Sequence, residues 1–388
     1  MTNRGEVWEP RAACVNAGSL EYASRRAMDD DFYLPPEYLF LDDATALARI
    51  REHRRRHGSA LALWAHAYQR ARLVELADLV GDGVALATRA ARRPVPRRIV
   101  CASVRYVAEN ARLLAPASTE VWCPDPGAGC PMSDAVTRAD LESAAEALRI
   151  ERPYDRVVPL VSVTSSLDVK AYAGEHGGAC VGSSNARALL AWALGHSERV
   201  LWTPDERLLA FAARALEVDP TRILEWNPAR RPSEEEIVHA RIVVVPSPCP
   251  VLGQFRVADV ETARRAHPGA RVWVQHELPE AVVAASDGSG SIAELAQLAA
   301  ATPRHTPVVL GTEIHAIDTI RAQVPDRPFF PLATAFCASM YSVGLAAVLL
   351  TLDRLEGPDA RPALSLDAAL AEPARRALER MLEIGKSG

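Results

Sequence analysis

A chain of 388 residues, 49% hydrophobic and 24% charged, is too long for one ordinary core and has the composition of a soluble globular protein. Its net charge of −5 lacks the basic balance that neutralising nucleic-acid phosphates requires. Seven cysteines, an odd number, do not make a disulfide scaffold in a chain this long, and no apolar leader opens it, so a reducing cytoplasm is the expected location. Lysine occurs only at Lys170 and Lys386, so 44 − 2 = 42 basic residues are arginine, which reads as the usage of a GC-rich genome.

Residues 1 to 40 lack clear periodicity and read as an N-terminal extension. Ala44 to His57 is an amphipathic helix capped by Asp42 and Asp43. The apolar run Leu61–Ala65 is a buried strand ending at His66-Ala-Tyr68. A helix follows with Leu73, Leu76, Ala77 and Val80 on one face, and Gly81-Asp-Gly83 breaks it before a helix from Val84 to Ala91. Strand Arg98–Ala102, a helix from Tyr106 to Leu114 and a strand from Val121 lead into the Pro/Gly-rich loop that carries Cys130. The same order then returns. Strand Val157–Val163 ends in Thr164-Ser-Ser166, Gly182-Ser-Ser-Asn185 opens a helix, and strand Ile242–Val245 leads to Cys249. Strand Ala270–Gln275 ends at His276-Glu277, Gly288-Ser-Gly-Ser291 opens a helix, and Phe329–Leu332 leads to Cys337. The cysteines are 249 − 130 = 119 and 337 − 249 = 88 residues apart.

Apolar runs alternating with helices imply parallel sheets covered on both faces. The expected fold is therefore α/β, with three similar α/β/α domains about a pseudo-threefold axis: 41–138, 139–256 and 257–352, then a helical tail over 353–388. Leu332 to Leu352 has the length of a membrane span and no charge, but its irregular opening and its register with the earlier repeats make it a loop followed by a buried helix.

Ligands of open parallel sheets bind beyond the carboxyl ends of the strands. That rule gathers His66 and Tyr68, Thr164, Ser165 and Ser166, Gln275, His276 and Glu277, the helix starts at Gly83, Ser183, Ser184, Asn185 and Ser289, and the three cysteines. Three thiolates can hold a [4Fe-4S] cluster by three corners and leave one iron open as a Lewis acid. Cysteine is also among the most buried residue types, and Cys14, Cys101, Cys123 and Cys180, without repeat partners, read as structural. His66 as a satisfied strand-end histidine, Tyr68 as core packing and Glu277 as a surface salt-bridge residue stand beside their functional readings.

With these residues in hand, the chain resembles the quinolinate synthase family over about residues 44 to 385. The likeness is carried by Ala65-His-Ala-Tyr-Gln69, Leu76-Ala-Asp-Leu-Val-Gly-Asp82, Ala128-Gly-Cys-Pro-Met132, Ser184-Asn-Ala186, Cys249-Pro-Val251, Leu310-Gly-Thr-Glu-Ile314, Pro325-Asp-Arg327, Cys337-Ala-Ser-Met340 and Glu379-Arg-Met-Leu382. The resemblance implies a triangular three-domain enzyme that condenses iminoaspartate with dihydroxyacetone phosphate at a central [4Fe-4S] cluster. It implies Cys130, Cys249 and Cys337 as ligands, His66 and Tyr68 as substrate contacts, and Glu277 as the acid/base. Ser183 and Ser289 fall on serines that the family places at helix starts.

The departures fall on substrate anchors. The family's serine after Gly-Asp is Gly83 here, its Tyr-Val-Asn is Ser162-Val-Thr164, and its histidine two before the glutamate is Gln275, with His276 displaced by one. The threonine after Gly-Ser is Gly290, and the histidine after Cys-Pro-Val is Leu252. Cluster ligands kept and anchors changed give the expectation of a dehydrating, cyclising enzyme for a different small carboxylated substrate, yielding a pyridine-type or other N-heterocyclic acid. An orthodox quinolinate synthase, and a non-catalytic iron–sulfur or zinc sensor on the same scaffold, are the alternatives. No G-x-S-x-G elbow occurs to support a serine hydrolase.

Overall fold

The computed structural model describes residues 34–385 apart from 228, 229 and 231, so the extension up to residue 33, with Cys14, lies outside the described residues. Thirteen described strands form three all-parallel sheets. In the first, β1 (Leu61–His66), β2 (Leu79–Gly81), β3 (Arg98–Ala102) and β4 (Glu120–Trp122) lie in the order β2-β1-β3-β4. The second contains β5 (Val157–Ser162), β6 (Ala179–Val181), β7 (Arg199–Thr203), β8 (Ile223–Glu225) and β9 (Ile242–Val244), ordered β6-β5-β7-β9-β8. The third contains β10 (Arg271–Gln275), β11 (Gly288–Gly290), β12 (Val308–Gly311) and β13 (Phe329–Pro331), ordered β11-β10-β12-β13. The arrangement is one pattern used three times, with β8 added to the middle sheet. Every residue of β1 and of β7 is buried, as strands covered on both faces must be.

Some elements differ from the expectation. The helix read through Val80 stops at Leu76, and Val80 sits in β2. Asp78 draws the chain back to the sheet: its N–H donates to the Leu63 carbonyl at 2.7 Å, and its carboxylate accepts the Leu63 N–H at 2.8 Å. Gly288-Ser-Gly290, read as a helix start, is β11; the helix begins at Ile292, with Ser291 and Glu294 closing a capping box. These edge strands are three residues long, too short for alternation to show, and β8 escaped the sequence reading for the same reason.

The apolar stretch after Cys337 forms helices Ala338–Ser342 and Leu345–Asp353. The second packs with helix Asp43–His57 in one core cluster, and no described helix is long and apolar enough to cross a membrane. The C-terminal helix Ala368–Ile384 packs on helices Leu167–Glu175 and Arg105–Leu114. Gly174 allows that approach: a β-carbon there would stand 1.8 Å from the Pro373 carbonyl oxygen. Gly178 donates its N–H to Ala173 at 2.7 Å and abuts the Pro159 carbonyl, so the Gly174–Gly178 segment is tied down at both ends. Gly174→Ala is expected to lower stability by about 2–3 kcal/mol through overpacking, read as a lower denaturation midpoint.

Candidate active site

The first strands of the three sheets end at His66, Ser162 and Gln275, each in register with the last residue of its edge strand: Gly81, Val181 and Gly290. Two residues further along stand Tyr68, Thr164 and Glu277. Bonds between the units tie these ends together. The Tyr68 hydroxyl donates to Gln275 Oε1 at 2.9 Å, and Thr312 also donates to that oxygen. Ser133, beside Cys130, shares a hydrogen bond of 3.1 Å with Thr164, whose hydroxyl also bonds Ser162 at 2.9 Å. Asn110 donates to the Val163 carbonyl at 2.7 Å and accepts from buried Lys170 Nζ at 2.6 Å. One of the two lysines therefore serves as a fixed strut under the Ser162–Thr164 turn.

Cys130, Cys249 and Cys337 follow β4, β9 and β13 on the three loops. They are half-buried, whereas Cys101, Cys123 and Cys180 are buried. Cys130 is electrostatically coupled to each of the other two, and burial raises all three thiols, with Cys337 pushed up to about 11. Against burial work, in each loop, the N–H groups two and three residues ahead, which lower the thiol without reversing its rise. These are Met132 and Ser133 for Cys130, Val251 and Leu252 for Cys249, and Ser339 and Met340 for Cys337. Cys123 also has an N–H two residues ahead working against burial, that of Asp125, but it is buried and donates its S–H to the carbonyls of Asp125 at 3.3 Å and Ser103 at 3.8 Å, as a protonated thiol does. Thiols raised in this way become neighbouring thiolates only with a positive partner. Among the described residues no three His, Cys, Asp or Glu side chains gather closely enough for a single ion. A cluster held by its corners needs no such point of convergence.

Glu277 is buried, and its Oε2 lacks a hydrogen-bond partner. Burial, then the charge of Asp205, pushes its carboxyl up to about 7, while the nearby Ser183 hydroxyl, itself unpartnered, opposes the shift. His66 is buried, and its Nδ1 accepts the Tyr68 N–H at 3.1 Å, which places the ring proton on Nε2. Burial holds its pKa down at about 4, so the imidazole is neutral. The Tyr68 ring meets His66 edge-on, with centroids 4.9 Å apart.

The other sequence-derived positions divide. Ser184 is exposed, and Asn185 is turned back to accept the Gly182 N–H at 2.9 Å. Gly83 is buried against the second unit, where a β-carbon would stand 3.1 Å from Val163 Cγ1. His276 shares a hydrogen bond of 3.1 Å with Ser289, reaches Glu294 at 3.3 Å and stacks on Phe211 at 3.5 Å. With Arg207 and Leu278, the residues His276, Ser289 and Phe211 line a cavity of about 360 Å3 beside helix Glu206–Ala215. Sequence reasoning missed Lys170, Asn110, Ser133, Asp205 and Glu313. The isolation of Lys170 among arginines, and the acidic cap positions of Asp205 and Glu313, were the available signals.

Residues 48–383 match the Quinolinate synthetase A protein family. A Corynebacterium glutamicum protein named quinolinate synthase is 33% identical over 357 residues, covering 90% of each chain. Proteins of that name from Rhodopirellula baltica and Geobacillus kaustophilus are 30% and 31% identical, over 89% and 90% of this chain and 93% and 96% of their own. The three parallel sheets and this match define an enzyme of the triple α/β class. The chain belongs to the quinolinate synthase family.

Proposed function

We propose that the protein is a [4Fe-4S] enzyme that dehydrates and cyclises a small carboxylated, imine- or amino-acid-derived substrate other than the pair its relatives are named for, forming an N-heterocyclic acid. The observation that carries the cluster is the threefold placement of a half-buried cysteine on the loop after the last strand of each unit, at Cys130, Cys249 and Cys337, whereas Cys101, Cys123 and Cys180 are buried. Thiolates are the usual ligands of such a cluster. When bound, the cluster supplies a Lewis-acidic iron with an open coordination position.

The chain's own residues supply the rest. Glu277, poised near neutrality, takes a proton as carboxylate and returns it as carboxylic acid. Neutral His66 presents Nε2–H to a substrate oxygen, and the unpartnered Ser183 hydroxyl offers a further donor close to Glu277. Tyr68, held by Gln275 and by the His66 ring, fixes that wall of the site. A changed specificity is supported by what the replacements do: Ser162 and Thr164 bond each other, Thr164 also bonds Ser133, and Gln275 Oε1 accepts from Tyr68 and Thr312. A substrate oxygen left without its donor loses roughly 1–3 kcal/mol for each missing bond.

Anaerobic purification with iron and sulfide determination is expected to give about four of each per chain. Zinc in their place would overturn the cluster. The same sample, given iminoaspartate and dihydroxyacetone phosphate, is expected to form no quinolinate. Formation of quinolinate at a useful rate would establish the orthodox activity, which the names of the relatives favour.

A further inference from the structure

Two buried acids occupy equivalent places in the second and third units. Asp205 lies two residues beyond β7 and Glu313 two beyond β12, with 5% and 0% of their surface exposed. Each caps the helix that follows. Asp205 Oδ1 accepts the N–H groups of Arg207 at 2.9 Å and Leu208 at 3.3 Å; Glu313 Oε2 accepts those of His315 at 2.8 Å and Ala316 at 3.2 Å. Capping alone explains neither the charge nor its burial, since serine or asparagine caps as well without a buried anion.

Both acids also reach toward the cysteine loop of their own unit. Glu313 Oε1 accepts the Cys337 N–H at 3.2 Å and also bonds His315 Nδ1 at 2.9 Å. The Cys249 N–H lies within reach of the Asp205 carboxylate. Glu313 thus joins the end of the third strand of its unit to the cysteine loop after the last, holding that loop by the backbone of Cys337 itself; beside Asp205 the Ser247 N–H ties the Cys249 loop to the Pro204 carbonyl at 2.8 Å. The matching position in the first unit is Val104, which makes no side-chain cap; there the Arg105 N–H holds the Ala128 carbonyl at 2.8 Å.

We propose that Glu313 and Asp205 are positioning residues for the cysteine corners, carboxylates that fix Cys337 and Cys249 in their cluster-binding pose and place negative charge behind each sulfur. The inference rests on the cluster reading above. Both acids act through the cysteines and touch no reacting atom.

Glu313→Gln and Asp205→Asn leave an oxygen for the helix cap and turn an NH2 toward the cysteine N–H. The variants and the wild type are reconstituted anaerobically with iron and sulfide, and iron release to a chelator is timed. Release is expected to quicken about 10-fold in each variant, and the electron paramagnetic resonance spectrum of the reduced cluster to change. The melting temperature of the iron-free chain is expected to stay at the wild-type value. Release at the wild-type rate from both variants overturns the proposal. So does faster release accompanied by a matching fall in iron-free stability, which would make the acids helix caps only. Asp205→Asn, whose two cap bonds fall on one oxygen, keeps the test decisive if Glu313→Gln does not fold. A wild-type chain that takes up no iron overturns the cluster and the braces together, whereas a loaded wild type with unchanged variants overturns the braces alone.

Discussion

Cys130→Ala is expected to remove the cluster and to lower turnover by more than about 100-fold while leaving the fold intact. Cys130 is half-buried and precedes the four-residue helix Pro131–Asp134 without capping it through its side chain, so its truncation opens little core. The activity loss follows because a cluster held by two remaining thiolates is labile and the reactant loses its Lewis acid. Cys180→Ala is the matched control. Cys180 is fully buried in β6, with burial pushing its thiol up to about 12, and it belongs to the core beside Lys170. Its loss is expected to cost about 1 kcal/mol of stability and no iron. Visible absorbance, iron content and denaturation midpoints of the two variants separate the readings. A Cys130→Ala chain that keeps both colour and turnover would remove the central claim.

The strand ends were legible because β1, β5 and β10 are long apolar runs and each stops at a polar residue. The cysteines were legible because they recur behind the last strand of each unit. The connections between units were not. Tyr68 and Gln275 stand 207 residues apart, and Asn110 and Val163 53 apart, so only tertiary structure brings them into contact. Asp205 and Glu313 could be read as helix caps from the residues around them. The hold of Glu313 on Cys337 could not, because that cysteine loop returns to the cap from the far side of a further helix and strand. Lys170 was obscured by composition: the scarcity of lysine was informative at that one position, where Nζ is buried against Asn110.

Glu277→Gln is expected to act in opposite directions on catalysis and stability. Loss of the proton carrier should lower kcat by about 10²–10⁴-fold and abolish the acidic limb of the pH profile near pH 7, where the wild-type carboxyl titrates. For stability, the folded pKa of about 7 lies above the ordinary 4.5. The unfolded chain therefore releases this proton first, and the carboxyl's favourable contribution, complete below pH 4.5, is lost as the pH rises through 7. A shift of that size corresponds to roughly 3 kcal/mol, withheld from the wild type at pH 8 by a buried carboxylate with an unpartnered oxygen. Glutamine carries no such charge. Denaturant melts are thus expected to show the variant more stable than wild type at pH 8, by up to that amount, with the two curves meeting near pH 4. A variant that is equally or less stable at pH 8, or that retains the limb near pH 7, would mean that Glu277 is already paired in the resting enzyme and that another group moves the proton.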